Sequence, residues 1–171
     1  MSGHRARVTL GSYTLLLAGT PMNRWLVPLL LMLAASFHAS AADTAAPSVQ
    51  LRGHTFSIEL ATTDAARQHG LMDRTTLAAD HGMLFVFASS APQAFWMKNT
   101  LIPLDILYFD DARKLVSMQL DLPPCKVDPC PIYPSHAAAR YVLELAAGTS
   151  RRIGAKLGDE LTIHGTVGAV Q

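Results

Sequence analysis

Phe95-Trp96-Met97-Lys98-Asn99-Thr100-Leu101-Ile102-Pro103-Leu104-Asp105-Ile106 is the stretch on which both the fold and the site turn. Two aromatics, a thioether, an amine, an amide and a carboxylate stand within it, flanked by apolar strand material. On a strand, alternate side chains face opposite ways, so Phe95 and Met97 point to one side and Trp96 and Lys98 to the other. Asn99-Thr100 opens a connection that Pro103 closes, and Leu104 to Phe109 makes the next strand, ended by Asp110-Asp111. The unit reads as strand, turn, strand.

Working outward, Lys114 to Leu120 alternates and pairs with Leu104–Phe109 across the Asp-Asp-Ala-Arg turn. Upstream, Gly82 to Phe87 is a nearly continuous apolar run of strand length, and Ser89-Ser90-Ala91-Pro92 is expected to be loop. Val49–Leu51 and Thr55–Leu60 alternate around Arg52-Gly53-His54, which predicts a hairpin. Thr62-Thr63-Asp64 offers an N-cap for a short helix over Ala65–His69 that Gly70 stops, with a further turn possible through Thr75–Ala79. Downstream, proline-rich Leu122–His136 is expected to be a long loop, Ala139–Leu145 a strand, Ser150–Lys156 a short helix and Glu160–His164 a last strand. Seven or eight short strands with one or two short helices predict an α+β domain, mostly antiparallel, as a small barrel or curled sheet.

The N-terminal block has a different composition. Met22-Asn23-Arg24 precedes an apolar run from Trp25 to Ala35, and Ala39-Ser40-Ala41 is a small-residue end of the A-x-A type. The run is well short of the ~20 residues a membrane span needs. Residues 1–41 are therefore expected to be an export signal cut before Ala42, with translation starting at Met22 rather than Met1. Residues 42–48 then form a flexible leader, 49–165 one domain and 166–171 a tail, placing the protein in the periplasm or outside the cell with no stable membrane span. Removing residues 1–41 takes Arg5, Arg7 and Arg24 from 14 basic residues and nothing from 13 acidic ones, moving the net charge from +1 to −2. No nucleic-acid partner is expected from that balance. A mature chain of roughly 130 residues can bury one core.

The motifs Gly70-Leu71-Met72-x-Arg74, Gly82-Met83-Leu84-Phe85-x-Phe87 and Phe95-Trp96-Met97-Lys98-Asn99-Thr100-x-Ile102-Pro103-Leu104-Asp105-Ile106 resemble the domain-of-unknown-function 192 family. Ala139–Leu145 with Gly148, and Gly158-Asp159, fit the same pattern, so the resemblance spans about residues 49 to 165. It implies a compact β-rich domain, often exported in bacteria, and carries no settled activity or catalytic residue. The proline-rich cysteine loop is longer than the family pattern implies.

Cys125 and Cys130 are the two cysteines, and in an exported protein this spacing predicts a structural disulfide contributing about 2 kcal/mol. Met72, Met83, Met97 and Met118, with His54, His69, His81, His136 and His164, bring copper to mind by ligand type. The methionines sit in apolar runs and the histidines lack helical pairing, so core packing is preferred and neither metal nor cofactor is expected. Trp96, Lys98, Asn99 and Asp105 are the ligand-binding candidates, with Arg74 and Arg140 as possible anion-binding forks. The plain alternative is a Lys98–Asp105 ion pair beside a turn. The functional expectation is an exported domain binding a small polar ligand or a partner peptide in the Phe95–Asp105 region. An enzyme using Asp105 and Lys98 for acid–base chemistry and a structural subunit of the cell envelope are the alternatives.

Overall fold

Arg52 and Gly53 both have positive φ, 52° and 78°, the backbone of a two-residue turn whose twist matches that of paired strands. They join β1 (Ser48–Leu51) to β2 (His54–Ala61) in an antiparallel hairpin. This computed structural model describes residues 46–171; the expected export signal of residues 1–41, the start at Met22 and most of the 42–48 leader lie outside the described residues.

After β2 the chain forms α1 (Asp64–His69), where the Thr63 hydroxyl accepts from the Ala66 amide at 3.2 Å and so caps the first turn. The helix carries the chain across to β3 (His81–Trp96), which lies parallel to β2. Then come β4 (Leu104–Phe109), β5 (Leu115–Leu122), β6 (Ile132–Ala146), the short α2 (Thr149–Ile153) and β7 (Thr162–His164). The sheet order is β5-β4-β6-β3-β2-β1-β7, and every neighbouring pair except β2–β3 is antiparallel. The two sheet edges come together at one end. The Leu115 amide donates to the Asp159 carbonyl and the Gly158 amide to the Leu115 carbonyl, each at 2.8 Å. Seven strands curl into a half-barrel, as the strand count and spacing predict.

Two expected loops are strand instead. β3 runs through Ser89-Ser90-Ala91-Pro92 without ending, absorbing its irregularity as register shifts between Val86 and Ala91 and between Pro92 and Ala94. Ser89 and Ser90 fall within the first shift, while Pro92 stands in register opposite Ala138 and borders the second. β6 likewise begins at Ile132, inside the predicted Leu122–His136 loop, with Tyr133 opposite Phe95 and Pro134 opposite Ala94. Thr75–Ala79 forms no helix.

Both sheet faces are covered. Inside the curl lie Val49, Phe56, Leu84, Leu107, Leu143 and their neighbours. The outer face buries Met83, Phe85, Ile106, Tyr108 and Val142 beneath α1 and the connections around Met97 and Leu122. All six residues of β4 are therefore buried, at the centre of a two-sided packing.

Gly82 marks the tightest approach. A Cβ there would sit 2.5 Å from the Glu144 carbonyl oxygen and 2.7 Å from Leu145 Cδ2, so β3 and β6 can lie this close only around a residue without a side chain. Gly82→Ala is expected to lower stability by about 1–3 kcal/mol, the range of core overpacking. Denaturant unfolding followed by circular dichroism measures it, and a midpoint unchanged from wild type would contradict the packing described.

Candidate functional site

Gly70 ends α1 with φ 51°, its amide donating to the Ala66 carbonyl at 2.9 Å. A Cβ at this position would approach Phe85 Cζ to 3.2 Å and Glu144 Oε2 to 4.0 Å, so the absent side chain lets the helix end pass close above the sheet. Beside this crossing lies a cavity of about 330 Å³. Its walls are the rings of Phe85, Phe87, Phe95 and Trp96, and Gln68, His69 and Met72 overhang it from α1 and the following turn.

The aromatic walls brace one another. Phe95 stands edge-on to Phe85, Phe87 and Tyr108, with centroids 4.9, 6.5 and 5.9 Å away. Such contacts hold rings in fixed relative orientations beyond what area burial alone would do. The Tyr108 hydroxyl donates to the Tyr133 carbonyl at 2.8 Å and so fastens the β6 segment that faces Phe95.

Glu144 contributes the cavity's buried carboxyl. In register it lies between Met83 of β3 and Ile106 of β4, two apolar neighbours that offer it no hydrogen bond. The residue is 4% exposed, and its Oε2 has no hydrogen-bond partner among the described residues. Burial pushes its pKa up to about 8, so at neutral pH it is mostly the protonated acid. The Tyr108 phenol is raised too, by burial first and then by the Glu144 charge.

The residues singled out in the sequence scatter around this cavity. Trp96 lines it, 46% exposed at its edge. Lys98 places its Nζ 5.5 Å from the Trp96 ring centroid and pairs with Asp128 at 2.9 Å, so it is not the partner of Asp105. Asn99 is an exposed turn residue with φ 54°, its amide donating to the Cys125 carbonyl and its carbonyl accepting from Asp73. Arg74 pairs with Glu59 at 2.6 Å, and Arg140 donates to the Phe87 carbonyl at 3.3 Å and to Asp111 at 3.4 Å. Neither arginine reaches the cavity.

Asp105 requires a correction. It is 1% exposed, and its carboxylate accepts from the backbone amides of Asp121 (2.9 Å), Gly148 (3.2 Å) and Ser150 (2.8 Å). A carboxylate enclosed in this way is a structural clasp, with neither room for a ligand nor an approach from Lys98. The Cys125–Cys130 disulfide is formed as expected, with Cα atoms 5.8 Å apart. Its loop is anchored to the site strand: the Cys125 amide donates to the Met97 carbonyl at 3.1 Å. No cluster of three His, Cys, Asp or Glu side chains is placed to hold a metal among the described residues. Glu144 itself was missed, although an acid within Val142-Leu143-Glu144-Leu145 was a visible signal of a polar group on a buried strand.

A family profile described as an uncharacterised ACR, domain of unknown function 192, matches residues 47–163. The chain belongs to that family. Two solved structures are similar to it. A Sinorhizobium meliloti protein described as a candidate transcription regulator is 38% identical with a TM-score of 0.63, the match covering 69% of this chain and 94% of that one. A Novosphingobium aromaticivorans protein of unknown function is 34% identical with a TM-score of 0.64, covering 67% of this chain and 83% of that one. No curated protein matches. All the cavity-lining residues fall inside the span that matches the 192 family, so the cavity belongs to the family domain rather than to an appendage.

Two outcomes follow for the buried carboxyls. Asp105→Ala should cost about 3 kcal/mol or more, because three amides lose a charged acceptor and those that stay buried go unpaired; chemical denaturation measures it, and a loss under 1 kcal/mol would contradict the clasp. Glu144 acts in the opposite sense. Its folded pKa, about 8, lies above the ordinary 4.5, so its stabilisation is complete below pH 4.5 and is lost as pH rises towards 8, by on the order of 1.4 kcal/mol per unit. Glu144→Gln should flatten the decline between pH 5 and 8, and an unchanged pH profile would show that Glu144 is not held protonated.

Proposed function

We propose that this domain is a binding module working outside the cytoplasm, taking a small molecule into the cavity between α1 and the outer sheet face. The observation that carries the reading is the Glu144 carboxyl, buried in an aromatic-walled cavity and unpartnered at Oε2. Leaving a buried polar group unpaired costs about 1–3 kcal/mol, and a ligand that bonds to it recovers that cost. The cavity is at the small end of ligand sites, which run from roughly 300 to 1,000 Å³, and it has their usual make-up of apolar walls with a few directed polar groups. Gln68, His69 and Gln93 supply further hydrogen-bonding groups. Relative to the sequence-based expectation, the ligand sits on the Phe95–Trp96 side of the signature stretch and away from Asp105. The extracytoplasmic setting is supported by the Cys125–Cys130 disulfide and by the export-signal pattern of residues 22–41. No helix among the described residues is long and apolar enough to cross a membrane.

Ligand-observed NMR against a set of small organic fragments, followed by calorimetry on the hits, tests the reading. Fragments should bind, and Trp96→Ala should weaken them roughly five- to tenfold, equivalent to about 1–1.4 kcal/mol of lost stacking. Hits indifferent to Trp96 and to Glu144→Gln, or no hits at all, would overturn it.

A further inference from the structure

We propose that the ligand of this cavity is a small alkylammonium ion, its cationic head seated among the aromatic rings and against the Glu144 carboxylate. The inference rests on the binding reading above and adds the chemical class of the ligand. Two of the four wall rings already hold a cation of the protein: Arg67 Cζ lies 5.3 Å from the Phe87 centroid, and Lys98 Nζ lies 5.5 Å from that of Trp96. Ring faces attract cations through their quadrupole, most strongly where water is excluded, and quaternary ammonium groups are the ligands that aromatic clusters of this kind favour.

The balance of charge around the cavity points the same way. Arg67 has both terminal nitrogens engaged, Nη1 donating to the Thr62 and Val86 carbonyls at 2.8 and 2.9 Å, and Nη2 donating to the Gln171 carbonyl and pairing with Asp64 at 2.5 Å. It has no free fork to offer an anion. Glu144, by contrast, has an enclosed oxygen without a donor and no counter-charge bonded to it. A bound cation supplies that counter-charge. As it enters, the Glu144 acid gives up its proton to solvent and becomes the carboxylate, so one positive charge replaces another in the cavity. The other ionisable groups lining the cavity are Asp64, Arg67 and His69 from α1, while Tyr108 from β4 and Glu59 from β2 (held by Arg74 and His81) lie outside its lining on the same sheet face as Glu144.

The experiment compares choline and tetramethylammonium with the neutral isostere 3,3-dimethylbutan-1-ol, by calorimetry on the full chain between pH 6.5 and 8.5 in buffers of different ionisation heat. The ammonium ions should bind at least tenfold more tightly than the isostere at pH 8.5. Their affinity should rise roughly 20-fold from pH 6.5 to 8.5, with close to one proton released per ion bound at the lower pH. Because neither ion titrates in this range, the rise reports the protein's own group. In Glu144→Gln, verified as folded by circular dichroism, choline should bind no better than the isostere and without that pH dependence. If the isostere matches choline, or if choline binding falls as pH rises, the ammonium assignment is overturned while the cavity remains a binding site for a neutral molecule. If neither these compounds nor any fragment of the broader set binds, the binding reading falls as well.

Discussion

The carboxylate of Asp105 is the point at which three parts of the fold are held in one place. Its oxygens accept from Asp121 near the end of β5 and from Gly148 and Ser150 at the entrance to α2. α2 has no side-chain cap of its own, because Gly148 occupies the cap position in a left-handed conformation. Asp105 supplies from β4 the acceptor that a serine or aspartate usually supplies locally, and its negative charge meets the unpaired amides of the first turn. That in turn seats Ile153 of α2 in the core within the curl. The same carboxylate stabilises Asp121 at φ 54°, beside the register shift between Leu104 and Ile106 in the β4–β5 pairing. Sheet curvature and helix placement thus share one anion.

Glu144 stands one register step away, since Asp105 is opposite Leu145 and Ile106 is opposite Glu144. The alternation of side chains puts the two acids on opposite faces of the sheet, and their surroundings differ accordingly. Asp105 is given three backbone donors and needs nothing further. Glu144 is given Met83, Ile106 and the aromatic walls, none of which donates to its Oε2. A buried acid without donors costs a fold stability at neutral pH, and this one stands at the wall of a cavity rather than in closed packing.

Much of this architecture was legible in the residues. The Arg52-Gly53 turn, the capped helix ended by Gly70 and the strand at Leu104–Phe109 follow from turn chemistry, capping and hydrophobic pattern, and all are present. Ser89–Pro92 and Ile132–His136 misled because serine and proline read locally as breakers, whereas the long-range β3–β6 pairing carries both segments, with Ser89 and Ser90 in a register shift and Pro92 and Pro134 in register opposite Ala138 and Ala94. The site was legible in part. The alternation of Phe95, Trp96, Met97 and Lys98 was correct in period, yet half-buried Phe95 and exposed Trp96 both contribute to the cavity where the strand reaches its end. The role of Asp105 depended on amides 16 to 45 residues away in the chain, which no local pattern reveals.

The signature stretch is therefore two devices in succession rather than one site. Phe95 and Trp96 build cavity wall, and Met97 is buried while its carbonyl holds the disulfide loop through the Cys125 amide. That loop returns Asp128 to Lys98, and Lys98 lies over Trp96, so the covalent cross-link and the ion pair both bear on the exposed wall of the cavity. Asn99, left-handed at the turn, redirects the chain, and its carbonyl secures Asp73 just beyond Leu71 and Met72. Only after this turn does Asp105 enter the sheet to fix β5 and α2. A substitution in the first half would thus act on the cavity wall, and one at Asp105 on the scaffold around it. The chemical variety that makes this stretch conspicuous in the sequence is divided between those two tasks.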